Sequence, residues 1–89
     1  MHFPGFSEAV AQFLVAHRNI VGIGIDTLSL DPGISTTFSV HQVILGADKY
    51  QLENMRLQDL PASGAVLVIS PVRIEHAVES PVRVLGFIP

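Results

Sequence analysis

Apolar and polar residues recur along this chain with two periods, and the switches between them predict its elements. After a Pro4-Gly5 turn, Val10, Phe13, Leu14 and His17 fall at helical spacing, so a helix over about 7–18 with one apolar face is expected. Ser7 suits its N-cap, Glu8 its first turn, and Asn19 a left-handed position at its end. The β-branched run VGIGID (21–26) predicts a buried strand, with Gly22 and Gly24 on one face where a neighbour packs closely on the backbone. TLSLDPGISTT is a loop in which Asp31-Pro32-Gly33 supplies turn chemistry. Val40, Val43, Ile44 and Ala47 return to helical spacing over 39–47, with Ser39 as the cap. Tyr50 to Asn54 alternates as a short strand, and LQDLPASG reads as a helical turn and loop stopped by Pro61 and Gly64. AVLVIS and VRVLGFI, rich in Val, Ile and Leu, are the strongest strand signals.

The predicted order is therefore α-β-α-β-β-β, an α/β class with a small mixed sheet and helices packed against it, in one domain over 1–89. Composition sharpens this picture. A chain of 89 residues buries roughly 60–65% of its unfolded surface, so its core is thin. Yet 48% of residues are hydrophobic, only 15% are charged, and mean hydropathy is +0.47. An uncovered sheet edge or face follows, and with it self-association or packing on a partner. Eight acidic against five basic residues leave no basic patch, so no nucleic-acid partner is expected. No apolar run reaches the length of a membrane span, and the N-terminus lacks a signal-peptide pattern, so a cytoplasmic protein is expected. The absence of cysteine excludes disulfides and thiolate ligands.

Local catalytic motifs are absent. GIGID lacks the spacing of a dinucleotide-binding turn, and there is no P-loop, G-x-S-x-G or H-E-x-x-H. The chemistry-bearing pair is His41, beside the apolar face of the second helix, and Glu53, in a strand with Leu52 and Met55 as apolar neighbours. Imidazole and carboxylate are standard ligands for Zn²⁺ or Mn²⁺. By spacing alone two readings stand side by side: half of a metal site, or a hydrogen-bonded boundary histidine with a partly exposed glutamate. His2, His17 and His76 read as a frayed end, a helix C-terminus and a loop.

In order, GIGIDTLSLD, VHQVIL, YQLENM, LQDLPASG and SPVR resemble the C-terminal half of the cyclase family of metal-dependent hydrolases (kynurenine formamidase-like). The resemblance covers nearly the whole chain and implies part of that family's swivelling α/β fold, hence a single partial domain. It implies that His41 and Glu53 are metal ligands, for Zn or Mn, with Met55 in place of the usual leucine, and that Asp26 and Ser29 line the same cavity. It implies hydrolysis of a linear amide by a metal-activated water. The family's H-x-G-T-H-x-D-x-P-x-H element is missing from this chain, so the ligand set is incomplete. The glycine-rich turn expected before S-P-V-R is replaced by HAVES. Two functions follow: a portion of an arylformamidase-like hydrolase that needs a complementing N-terminal half, or a non-catalytic, self-associating remnant (a homo-oligomer) that binds a ligand or partner.

Overall fold

A computed structural model describes residues 2–89. The elements are α1 (Glu8–His17), β1 (Gly22–Gly24), α2 (Ser39–Gly46), β2 (Tyr50–Leu52), β3 (Val66–Pro71) and β4 (Val82–Phe87), in the predicted order. The strands form two separate ladders, β1 with β2 and β3 with β4. They belong to two compact units, one ending at Leu57 and one spanning Gln58–Pro89.

In the first unit β1 and β2 run parallel, with Gly22 opposite Tyr50 and Gly24 opposite Leu52. The Ile25 N–H donates to the Leu52 carbonyl (3.0 Å), which carries the pairing past the strand ends. The two glycines of β1 have the close neighbours expected of them. A Cβ at Gly22 would run into the Tyr50 ring, and one at Gly24 into the Met55 sulfur. The helices close over a core of Ala11, Leu30, Val40 and Ile44, all buried, with Phe6, Val15, Ile23, Ile25 and Val43 packed around it.

The buried stripe of α1 differs from the predicted one. Val10 and Phe13 are 43% and 47% exposed, whereas Ala11 is fully buried and Val15, one turn on, packs against the core. A small side chain lets α1 approach α2, and Val10 and Phe13 are left on the outer side. The Ser7 cap is as expected, its hydroxyl accepting from the Val10 N–H at 3.2 Å. The helix end is not: Arg18 is extended, its N–H donates to the Leu14 carbonyl (3.1 Å), and Asn19 is not left-handed.

At the start of α2 the cap position falls on Phe38, not Ser39. Phe38 is left-handed (φ 52°) and its side chain makes no capping hydrogen bond. The helix N-terminus is capped from elsewhere in the chain.

In the second unit β3 and β4 form an antiparallel hairpin, from Val66 opposite Phe87 to Pro71 opposite Val82. The segment LQDLPASG carries a turn at 58–59 but no helix, and Gly64 takes φ 89° before β3. No residue of Gln58–Pro89 is buried. Among the described residues no helix is long and apolar enough to cross a membrane.

Candidate functional site

His41 is the third residue of α2, and Glu53 is the first residue beyond β2, just past the strand in which it was expected. The backbone on both sides of Glu53 is tied to the chain leaving β1. Leu52 accepts from Ile25, Asn54 N–H donates to Thr27 O (2.8 Å), and Met55 N–H donates to Ile25 O (3.0 Å). Asn54 turns the chain in a left-handed conformation (φ 57°). An Asn tolerates that region better than most residues. The result brings Glu53 Oε2 to 3.7 Å from His41 Nε2, with the side chains 25% and 29% exposed.

The other imidazole nitrogen is already occupied. His41 Nδ1 lies 2.7 Å from Asp31 Oδ2, which also accepts from the His41 backbone N–H at 3.0 Å, while Oδ1 accepts from the Val40 N–H at 2.8 Å. One carboxylate therefore satisfies two otherwise orphaned donors of the α2 N-terminus and one ring nitrogen. Asp31 itself is 1% exposed. Burial raises its carboxyl pKa, but the hydrogen bond from the His41 ring, those from the Val40 and His41 N–H groups, and the charge of His41 outweigh it, so the net shift is downward.

Neighbouring segments fix Asp31 in place. The Phe6 N–H donates to Leu30 O (2.7 Å) and Gly33 N–H to Phe3 O (2.9 Å), pinning the N-terminal strap along both flanks. Ser29 Oγ accepts from the Asp31 N–H (3.2 Å), and Thr27 Oγ1 donates to Ser29 O (3.0 Å). On the other side, the Phe38 ring meets the His41 ring edge-on at 5.8 Å.

The structure thus brings together His41 and Glu53, and ties Ser29 to the segment bearing Asp31. Asp26 lies exposed in the loop after β1. His17 ends α1 against the Phe13 ring (5.2 Å), and His76 sits in the hairpin loop beside Glu75. Asp31 was read from the sequence only as a turn residue. Nothing local to the DPG turn announces a bond to a helix start nine and ten residues away.

The donor chemistry suits a divalent metal in part. Two ligand atoms on one tetrahedral zinc lie about 3.3 Å apart, given bonds of about 2.0–2.1 Å. The 3.7 Å between Nε2 and Oε2 is within a few tenths of that separation. A catalytic zinc takes three protein ligands. Among the described residues no group of three or more His, Cys, Asp or Glu side chains is arranged to hold one. His41 and Glu53 fit as two donors of a site, not as a whole one.

The chain matches the Cyclase family model, described as "Putative cyclase", over residues 1–32. It is 41% identical to a kynurenine formamidase of Bordetella petrii, over 93% of this chain and 39% of that protein. It is 30% identical to an isatin hydrolase of Roseibium aggregatum, over 99% of this chain and 35% of that protein. Among solved structures, isatin hydrolase A from Ralstonia solanacearum superposes with a TM-score of 0.88 and 30% identity, over 99% of this chain and 35% of that one. The chain spans at most about two fifths of the length of these relatives.

Proposed function

Because the chain belongs to the cyclase family, matching the C-terminal part of its members, we propose that it forms part of a metal-dependent amide hydrolase acting on linear, arylformamide-type amides. His41 and Glu53 hold the metal, Zn or Mn, together with donors from residues outside this sequence, on a complementing N-terminal half. The observation that carries this reading is the approach of His41 Nε2 to Glu53 Oε2 at 3.7 Å, with Nδ1 turned away. A bound metal supplies Lewis acidity and a water of lowered pKa for attack on the amide carbonyl. The chain's own residues hold position: α2 carries the imidazole, and the β2 exit carries the carboxylate.

The test is metal binding with and without a partner. The purified chain binds Zn²⁺ or Mn²⁺ more tightly than its His41→Ala and Glu53→Gln variants, and shows no formamidase turnover alone. Turnover appears when a polypeptide bearing the H-x-G-T-H element is added. Equal metal binding by all three proteins, with no turnover on adding that polypeptide, overturns the reading.

A second reading is favoured by the hairpin, where Val66, Leu67, Val68, Leu85 and Phe87 are all exposed. The chain would then be a self-associating, non-catalytic binding protein. A monomer at micromolar concentration in light scattering overturns it.

A further inference from the structure

We propose that Asp31 is a positioning residue: its carboxylate holds the proton of the neutral His41 imidazole on Nδ1, so that Nε2 faces Glu53 as a bare lone pair. This rests on the metal-ligand reading of His41 and Glu53 only for its purpose, since the tautomer itself is a property of the chain without metal.

The geometry has three parts. An ionised carboxylate offers acceptors only, so a ring nitrogen 2.7 Å from Asp31 Oδ2 must be the protonated one. The carboxylate is unable to swing away. Oδ1 and Oδ2 are bonded to the Val40 and His41 N–H groups of a helix N-terminus, where the helix dipole also favours a negative charge. Both oxygens are thus set by the backbone, and the ring must come to them. The ring also lies in T-shaped contact with the Phe38 ring, 5.8 Å between centroids. Phe38 is a non-glycine residue at φ 52°, sparsely populated backbone that persists only where its surroundings over-determine it.

A histidine in the first turn of a helix, facing solvent, would sample both tautomers. At this site the Nε2–H form would leave Nδ1 as a lone pair against a buried carboxylate, two acceptors at 2.7 Å with no proton between them. That form is excluded by the same atoms that cap the helix. One buried carboxylate therefore couples the start of α2 to the chemical state of the ligand that α2 carries. A carboxylate behind a ligating histidine has two general effects: it fixes the ring's tautomer and orientation, and it raises the ligand's basicity.

The test is ¹⁵N NMR of the histidine rings in the full chain, at a pH above the imidazole titration. The His41 resonances are assigned by their loss in His41→Gln. In the parent chain Nδ1 shows the protonated shift and Nε2 the bare one. In Asp31→Asn the side-chain amide N–H₂ can face Nδ1, and the population moves toward the Nε2–H tautomer. The affinity for Zn²⁺, titrated as the ion alone, then falls about 10- to 100-fold. An Nε2–H tautomer in the parent chain overturns the proposal whatever the variant does. So does an unchanged Nδ1–H tautomer in a folded Asp31→Asn. A locked Nδ1–H tautomer in the parent chain, lost in the variant but with no response of either protein to Zn²⁺, supports the positioning role, and the metal reading alone then falls if the added N-terminal polypeptide also restores no turnover.

Discussion

The two units of this chain bury their apolar residues very differently. The unit ending at Leu57 holds Ala11, Leu30, Val40 and Ile44 at 0–1% exposure, together with one buried carboxylate. The Gln58–Pro89 hairpin, though rich in Val, Leu and Ile, buries none of them fully, and Leu85 stays 44% exposed. An isolated two-stranded hairpin is marginal in water even with a good apolar face. Burial restricts side-chain motion, and the fully buried side chains among the described residues lie in the first unit. The largest expected effect follows. Ile44→Ala, fully buried, destabilises the chain by about 3 kcal/mol in chemical denaturation. Leu85→Ala costs no more than about 1 kcal/mol, given its exposure. Comparable losses at the two sites would break the contrast, and would mean that the hairpin face is covered in solution.

The second effect is at Asp31, the one buried charged side chain among the described residues of the first unit. Asp31→Ala strands the Val40 and His41 N–H groups at the helix start and costs about 2 kcal/mol. Protonation does part of the same damage. Burial alone would raise the carboxyl pKa, but its hydrogen bonds from His41 and Val40 bring it below the ordinary value of 3.8. A folded pKa below the unfolded one stabilises the native state fully above the ordinary value, and that stabilisation is lost as pH falls through the lowered folded value. The denaturation midpoint of the parent chain therefore drops on acidification below that range, and in Asp31→Asn it drops less. Equal acid sensitivity of the two proteins would place the titrating group elsewhere.

The same contrast separates what was legible in the sequence from what was not. Periodicity found both helices and the order of the strands, because each element's apolar spacing is local. It mistook the buried stripe of α1, because Val10 and Phe13 weigh heavily in a pattern while Ala11 hardly registers. Small size is what the contact with α2 selects, and size complementarity is a property of two elements at once. Capping was legible at Ser7, where donor and acceptor are three residues apart, and illegible at α2, whose cap comes from Asp31. His41 and Glu53 stood out by residue type and spacing, but only the order of the motifs around them favoured the ligand reading. Their approach depends on the parallel register of β1 and β2 and on the left-handed turn at Asn54. The atom that sets the state of His41, Asp31 Oδ2, lay in a segment whose composition explains itself as a turn.

The smallest effects compare the two ladders directly, through one glycine in each. A Cβ at Gly22 meets three carbons of the Tyr50 ring at once, so Gly22→Ala must turn the whole ring off the strand. Overpacking of this kind costs about 1–2 kcal/mol. A Cβ at Gly86 meets only the terminal methyls of Leu60 (3.1 Å) and Leu67 (3.5 Å), which give way by rotation. Alanine also restricts the unfolded chain more than glycine does, so Gly86→Ala is expected within about 0.5 kcal/mol of neutral. The chain has one tyrosine and no tryptophan, so its intrinsic fluorescence reports Tyr50 alone. That signal changes in Gly22→Ala and not in Gly86→Ala, while amide exchange along β3 and β4 follows the hairpin. If Gly86→Ala proves the costlier substitution, the hairpin is the more tightly packed ladder, and its exposed residues are held against something other than water.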